Sequence, residues 1–237
     1  MNSTCRSLGI LIALSLSTLA GCSDKVGGGT GRVDLPLSVC EPQNGPFSLT
    51  IDNPYFPLPV GTQYLYQGVE DGTVIDLTIT VLNETKVVNG VTTRVMEERE
   101  LEDDELIEIS RNFFAQAPDG TVCYFGEEVD IYEGGQLASH DGAWLAGNGN
   151  RAGILMPGNP EVGMTYQQEL ATGVAMDRGE IVAVGVPFTA GGITFSDTVL
   201  TIDTSPLEPG VQSEKTYARG IGLVFDEPVS LVGMPSL

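Results

Sequence analysis

Between positions 71 and 125 apolar and polar residues alternate with a period of two. Ile75, Leu77, Ile79 and Val81 are separated by Asp76, Thr78 and Thr80, the pattern of a strand with one face buried and the other in water. Val88-Asn89-Gly90-Val91 sets Asn-Gly between apolar neighbours. A tight hairpin turn needs positive φ at both central positions, which Asn and Gly tolerate. The spacing therefore predicts strands over residues 71–88 and 91–101. A third follows over 106–115 after the charged tip Glu102-Asp103-Asp104-Glu105, and Pro118-Asp119-Gly120 turns the chain into a fourth over 121–125. Successive hairpins of this kind make an antiparallel meander.

The second half repeats the logic with less regularity. Residues 164–170, 180–186, 193–204 and 215–225 read as strands, separated by turns such as Ala190-Gly191-Gly192 and Ser205-Pro206. Between the halves, residues 134–160 hold seven glycines and two prolines in 27 positions. A connection that long is functional or ordered by its own packing. No stretch sustains helical periodicity. The expected fold is all-β, an antiparallel meander forming a sandwich or half-open barrel with little helix. A total of 30 Gly and 14 Pro suits many short elements, and the roughly 200 residues from 35 to 237 are one β-rich domain by length.

The N-terminus follows a different pattern. Arg6 is the only charge before Asp24, an apolar run spans residues 8–16, and Leu19-Ala20-Gly21-Cys22 closes the segment. A basic start, a short apolar stretch and small residues at the end are the parts of an export signal, here residues 1–21. The run is shorter than the roughly 20 residues of a spanning helix. Leu-Ala-Gly-Cys resembles the lipobox of bacterial lipoproteins, which implies acylation of Cys22 and a membrane anchor of two or more chains. Ser23-Asp24 differs from an inner-membrane retention signal with Asp first, so the outer membrane is favoured in a Gram-negative host. Residues 22–34, with Val26-Gly27-Gly28-Gly29-Thr30-Gly31-Arg32, read as a flexible tether reaching roughly 20 Å.

Charge narrows the partners. The formal net charge is −21, and losing residues 1–21 removes one positive charge and no acid, giving −22. Nucleic acid and anionic headgroups are poor partners for such a surface. Solubility is its commonest consequence.

Several short motifs, Asn53-Pro54-Tyr55-Phe56-Pro57-Leu58 with Gly61-Thr62, Tyr124-Phe125-Gly126-Glu127, Thr204-Ser205-Pro206-Leu207-Glu208-Pro209-Gly210-Val211 and Tyr217-Ala218-Arg219-Gly220-Ile221-Gly222, are similar to a group of uncharacterised bacterial secreted proteins and lipoproteins. The resemblance covers most of the mature chain and implies no activity. Cys123 departs from that group, where an aromatic residue is usual.

Candidate chemistry is sparse. His140 is the only histidine, so a two-histidine metal site is excluded, and Ser139-His140-Asp141 sets three successive side chains where they cannot line up as a triad. No Gly-x-Ser-x-Gly elbow or phosphate loop occurs, and no cofactor is implied. Residues 97–108 carry eight carboxylates and one Arg around the hairpin tip; a weak calcium site at Glu102–Glu105 competes there with a solvated, aggregation-resistant edge.

Glu127, Glu128, Asp130 and Glu133 interleave with Tyr124, Phe125 and Tyr132, with Trp144 nearby. Tyr124, Glu127, Tyr132 and Trp144 are candidates for a small-molecule or glycan ligand, by stacking and hydrogen bonding. Glu127 with Glu128 or Asp130 is the alternative, a carboxylate-based hydrolase or lyase on a glycan-like substrate. Strict alternation, which sets Tyr124 opposite Phe125 and Glu127, favours aromatics filling a core while acids face water. Two classes stay open: a non-catalytic envelope lipoprotein with a binding domain, and the carboxylate enzyme.

Four cysteines complete the reading. Cys5 leaves with the signal and Cys22 carries lipid, so Cys40 and Cys123 are the pair left to form a disulfide in an oxidising compartment; two buried thiols are the other reading.

Overall fold

A computed structural model describes residues 31–234; the expected export signal, Cys22 and most of the expected tether lie outside the described residues. Sixteen strands occur among the described residues, in the order β1 (Val33–Asp34), β2 (Gln63–Glu70), β3 (Thr73–Val88), β4 (Val91–Glu102), β5 (Glu105–Gln116), β6 (Val122–Glu133), β7 (Gln136–Ser139) and β8 (Trp144–Leu145). They continue with β9 (Arg151–Met156), β10 (Met164–Gln167), β11 (Glu169–Leu170), β12 (Arg178–Ala190), β13 (Ile193–Thr204), β14 (Ser213–Ala218), β15 (Gly222–Asp226) and β16 (Val229–Gly233). The fold is all-β, and the only helical pieces among the described residues are short 3₁₀ turns at Leu37–Cys40 and Pro42–Asn44.

The meander expected over the first half is present from β3 to β6 and is extended by β2, which was not among the expected strands, with Asn89 and Gly90 at φ 48° and 82° in the turn that their sequence demands. The main path runs β10-β12-β13-β14-β15-β16-β2-β3-β4-β5-β6-β9-β11, antiparallel throughout, and β1 adds to β10 in parallel. Its two ends are consecutive in the chain: β10 and β11 are separated only by Gln168. The sheet thus curls round until both edges reach one segment, leaving a seam and a half-open barrel. Gly153 on β9 makes the seam close-fitting, since a β-carbon there would lie 2.1 Å from the Gln168 carbonyl oxygen.

The register stacks inward residues into continuous rows. Tyr64, Ile79, Glu98, Ser110 and Val129 form one, and Tyr66, Leu77, Glu100, Glu108 and Ile131 the next. Val81, Met96, Asn112, Glu127 and Trp144 form a third. In each row three of the five side chains are apolar or aromatic, and the remaining two are polar or acidic.

Outside β6, the N-terminal segment is pinned by the Cys40–Cys123 disulfide, with Cα atoms 5.5 Å apart, and Phe47 meets Phe125 edge-on at 5.5 Å. The loop closed by this bond is long enough that the chain-entropy model gives about 4–5 kcal/mol as an upper figure.

Two local expectations are corrected, and the reading of residues 134–160 is sharpened. Residues 215–225 are not one strand, because the chain turns at Arg219–Ile221 between β14 and β15. Residues 134–160, expected to be functional or ordered by their own packing, are ordered by pairing: β7, β8 and β9 all pair with β6. Alternation along β6 also breaks, because a register shift between Asn112 and Phe114 leaves Gly126 at φ 130° against the backbone of Trp144. The bulge returns Tyr124 and Glu127 to the same inner face.

Candidate binding site

The strap Asn53–Leu58 covers one end of the barrel. Asn53 is buried and fully used: its Nδ2 donates to the carbonyls of Gly120 and Pro157 at 2.9 and 3.0 Å, and its Oδ1 accepts from the backbone N–H of Tyr55 and Phe56 at 2.9 and 3.1 Å. Tyr55 reaches the β14–β15 turn, where its hydroxyl meets Asp197 at 2.9 Å and Arg219 at 2.7 Å. Arg219 Nε donates to Asp197 at 2.5 Å, holding that carboxyl below its usual range, and the Gly220 N–H donates to Pro54 O at 2.7 Å. Two of the sequence motifs, separated by more than a hundred residues, therefore lock together as one lid.

Under the lid the interior begins as aromatic and apolar. Rings lead inward from Tyr217 to Phe56 at 6.1 Å, Phe56 to Phe114 at 5.4 Å, Phe114 to Tyr124 at 4.9 Å, and Tyr124 to Trp144 at 5.3 Å. A cavity of about 30 Å³ lies beside this run, walled by Tyr64, Tyr66, Ile79, Met96 and Leu155, with Glu98 and Lys215 at its polar side. Residues from β2, β4, β9 and β14 meet there, so the cavity is part of the barrel lumen.

Beyond it the lumen is acidic. Glu98 and Glu100 on β4, Glu108 on β5 and Glu127 on β6 are buried, as are Glu169, Asp177 and Asp203 from the seam and β13. Lys215 is the one buried cation among the described residues. Its Nζ donates to Asp226 at 2.8 Å and lies 4.0 Å from Asp203. Burial works against its charge, but Asp226 and Asp203 overrule burial and hold the proton more tightly than usual.

Desolvation dominates the acids. It pushes Glu98 up to about 8 despite Lys215, and Glu100 up to about 9 with help from the like charges of Glu108 and Glu102. Glu127 rises to about 8 by burial and by Glu108, while Tyr124 and Trp144 act in the opposite direction. Their help is partial: Tyr124 gives its hydroxyl proton to Asn112 at 2.6 Å, and neither Trp144 Nε1 nor Glu127 Oε2 has a hydrogen bond of ordinary geometry. Glu169 is raised well above the carboxylate range by burial and Asp177, and Asp203 reaches about 6. Glu98 Oε1, Glu100 Oε2, Tyr166 OH and Thr201 Oγ1 are likewise buried without partners. An unmade hydrogen bond at a buried polar atom costs about 1–3 kcal/mol, so this interior is built at the expense of stability.

The candidate residues separate by face. Tyr124, Glu127 and Trp144 come together in the lumen. Glu128, Asp130 and Tyr132 line an outer groove of about 500 Å³ with Glu97, Arg111 and His140. His140 Nδ1 lies 2.8 Å from Asp130 Oδ1 and 2.8 Å from the Val129 carbonyl. The sheet stands between Glu127 and both Glu128 and Asp130, so these carboxyls do not face each other across one cleft. At the acidic hairpin tip, Asp103 serves the turn by accepting from the Val74 N–H at 3.0 Å. Among the described residues no three His, Cys, Asp or Glu side chains converge as metal ligands.

Glu98, Glu100, Glu169, Asp177, Asp203 and Lys215 were not singled out from sequence. The signal was present on β4, where Glu98 and Glu100 occupy alternate positions in phase with Met96, the buried face of the strand. Comparison with protein-family models, with curated proteins and with solved structures finds no match to this chain.

Proposed function

We propose that this chain is an exported, lipid-anchored envelope protein whose β domain is a non-catalytic binding module, receiving its ligand in the lumen beneath the Asn53–Leu58 strap. The observation that carries the reading is the cavity between an aromatic wall and the Glu98 carboxyl, whose Oε1 is buried without a hydrogen-bond partner. Buried titratable groups that cost stability cluster where a protein binds or reacts. The enzyme alternative needs Glu127 beside Glu128 or Asp130 on one substrate, and those residues lie on opposite faces of β6.

Trp144, the only tryptophan, sits at the inner end of the aromatic run and reports on the lumen. Titration with a panel of small amines, fatty acid salts and sugars is expected to shift its emission, and Leu155→Phe, which fills the cavity, is expected to abolish the response. A response that survives Leu155→Phe moves the site to the outer groove of Tyr132 and His140.

The anchor rests on Leu19-Ala20-Gly21-Cys22. Mass spectrometry of membrane-extracted protein should find an acylated N-terminal Cys22, and Cys22→Ala should release the domain or block its maturation. Cleavage elsewhere with an unmodified Cys22 ends the lipoprotein reading.

A further inference from the structure

We infer that Lys215 and Asp226 are the two halves of an intramolecular isopeptide bond, a covalent cross-link between β14 and β15 formed from their buried contact with loss of one water. The inference goes beyond the lumen-binding reading and needs no ligand. Lys215 and Asp226 stand directly opposite each other in the β14–β15 register, and Nζ lies 2.8 Å from Asp226 Oδ2. Their side chains are 2% and 13% exposed. An amine and a carboxyl held in contact condense as an intramolecular pair, without the entropy loss of bringing two molecules together.

Burial supplies the driving force. A buried ion pair is favourable only where its geometry and further hydrogen bonds offset the desolvation of both charges. Around this pair those bonds are incomplete: Asp203 lies 4.0 Å from Nζ, and Asp203 Oδ1 and Glu98 Oε1 are buried without a hydrogen-bond partner. Condensation replaces an ammonium and a carboxylate by one neutral amide. The released water has a place beside the bond, because the cavity of about 30 Å³ that Lys215 and Glu98 line holds about two waters.

The protons are moved by neighbouring carboxyls. A charged lysine is no nucleophile, and Asp226 and Asp203 hold the Lys215 proton more tightly than usual, so it must pass to a carboxyl at hand rather than to solvent. Asp203, raised to about 6 by burial, takes one proton from Nζ. Glu98, which burial keeps protonated and which feels the charges of both Lys215 and Asp226, gives one to the Asp226 carboxylate. The Nζ lone pair then adds to Asp226 Cγ. The second Nζ proton returns to Glu98, the Cγ–OH bond breaks, and the hydroxyl leaves as water with the proton held by Asp203. Two Nζ protons and one carboxyl oxygen make the water, both assisting acids end as they began, and no oxidant or cofactor enters.

Tryptic mapping of the denatured protein reads the bond directly. Beyond Arg178 the chain has only Lys215 and Arg219 as cleavage sites, so an unlinked chain yields residues 179–215, 216–219 and 220–237. With the bond in place, cleavage after Lys215 is lost, and residues 179–219 and 220–237 appear as one branched species, one water lighter than their sum. Lys215→Arg keeps the charge, cannot form the bond, and should free residues 220–237. Glu98→Gln and Asp203→Asn should each lower the linked fraction at least tenfold, with Trp144 emission unchanged where the fold is kept. Free peptides 179–215 and 220–237 from the unsubstituted protein overturn the inference, whatever the variants do. Loss of one water within residues 179–219, with 220–237 free, assigns the bond to Asp203 and overturns the pairing with Asp226. A linked fraction that is unchanged in both Glu98→Gln and Asp203→Asn overturns the assisted proton transfers.

Discussion

The two faces of β4–β6 carry similar acids and treat them in opposite ways. On the outer face three acids have solvated partners: Arg111 Nε donates to Glu97 at 3.0 Å, Lys86 to Glu128, and His140 meets Asp130. On the inner face burial raises Glu98, Glu100 and Glu127, and Lys215 offsets it only in part at Glu98. Glu97 and Glu98 are neighbours in the chain, as are Glu127 and Glu128. What separates them is the side of the sheet, and hence the dielectric. Exposed pairs are worth about 0–1 kcal/mol, whereas buried carboxyls weaken the fold unless they keep their protons.

Stability against pH breaks or upholds that contrast most directly. Glu98, Glu100 and Glu127 titrate near 8, 9 and 8 in the folded protein, against about 4.3 for an unperturbed Glu. Their folded values are raised, so between those limits the native state holds protons that the unfolded chain has released. Stability is then full below the ordinary carboxylate range, falls as pH rises toward 8–9, and levels off above. At about 1.4 kcal/mol per unit, and with the shifts shared among coupled groups, the loss from pH 5 to pH 9 is on the order of 5 kcal/mol. Urea midpoints at the two pH values measure it, and Glu100→Gln should shrink the difference. A profile that rises toward pH 9 would mean that water or a counter-ion reaches the inner acids.

The sequence conveyed the outer half of this picture better than the inner. Period-two alternation in β3 and the Asn89-Gly90 turn are local signals, and local signals predicted the meander. The pairing of Cys40 with Cys123 followed from counting. The lumen is a non-local object: Glu98 acquires its meaning from Lys215, and Phe56 from Tyr217, through strand order that no window of sequence contains. Period-two reasoning also treats every Glu as water-facing, which is wrong on β4, where Glu98 and Glu100 share the buried face with Met96. On β6 it failed further because the strand carries a bulge at Gly126.

That bulge supplies the second test. Gly126 has φ 130°, and a β-carbon there would lie 2.4 Å from the Trp144 carbonyl oxygen. Gly126→Ala must either strain the backbone or push β8 away, at about 3 kcal/mol. Because the bulge is what sets Glu127 inward beside Tyr124, the variant should also blue- or red-shift Trp144 emission. Loss of stability below about 0.5 kcal/mol with unchanged emission would show that β6 can hold Glu127 inside without its bulge.

The smallest effect is expected on the other side of the same strand, one residue from Glu127. Glu128 is paired with Lys86, but both side chains are partly in water, so the attraction is screened and part of it is offset by ordering two long side chains. Glu128→Gln should therefore change stability by less than about 1 kcal/mol and leave the pH 5 to pH 9 difference untouched. Glu127→Gln, an identical chemical change at the adjacent position, should reduce that difference, because it removes a proton site raised by burial rather than a solvated charge. Urea unfolding of the two variants side by side at both pH values checks the pair with one measurement. If Glu128→Gln alters the pH slope as much as Glu127→Gln does, the outer groove with Arg111 and His140 is electrostatically coupled to the lumen through β6, and the sheet does not divide the acids into two solvents.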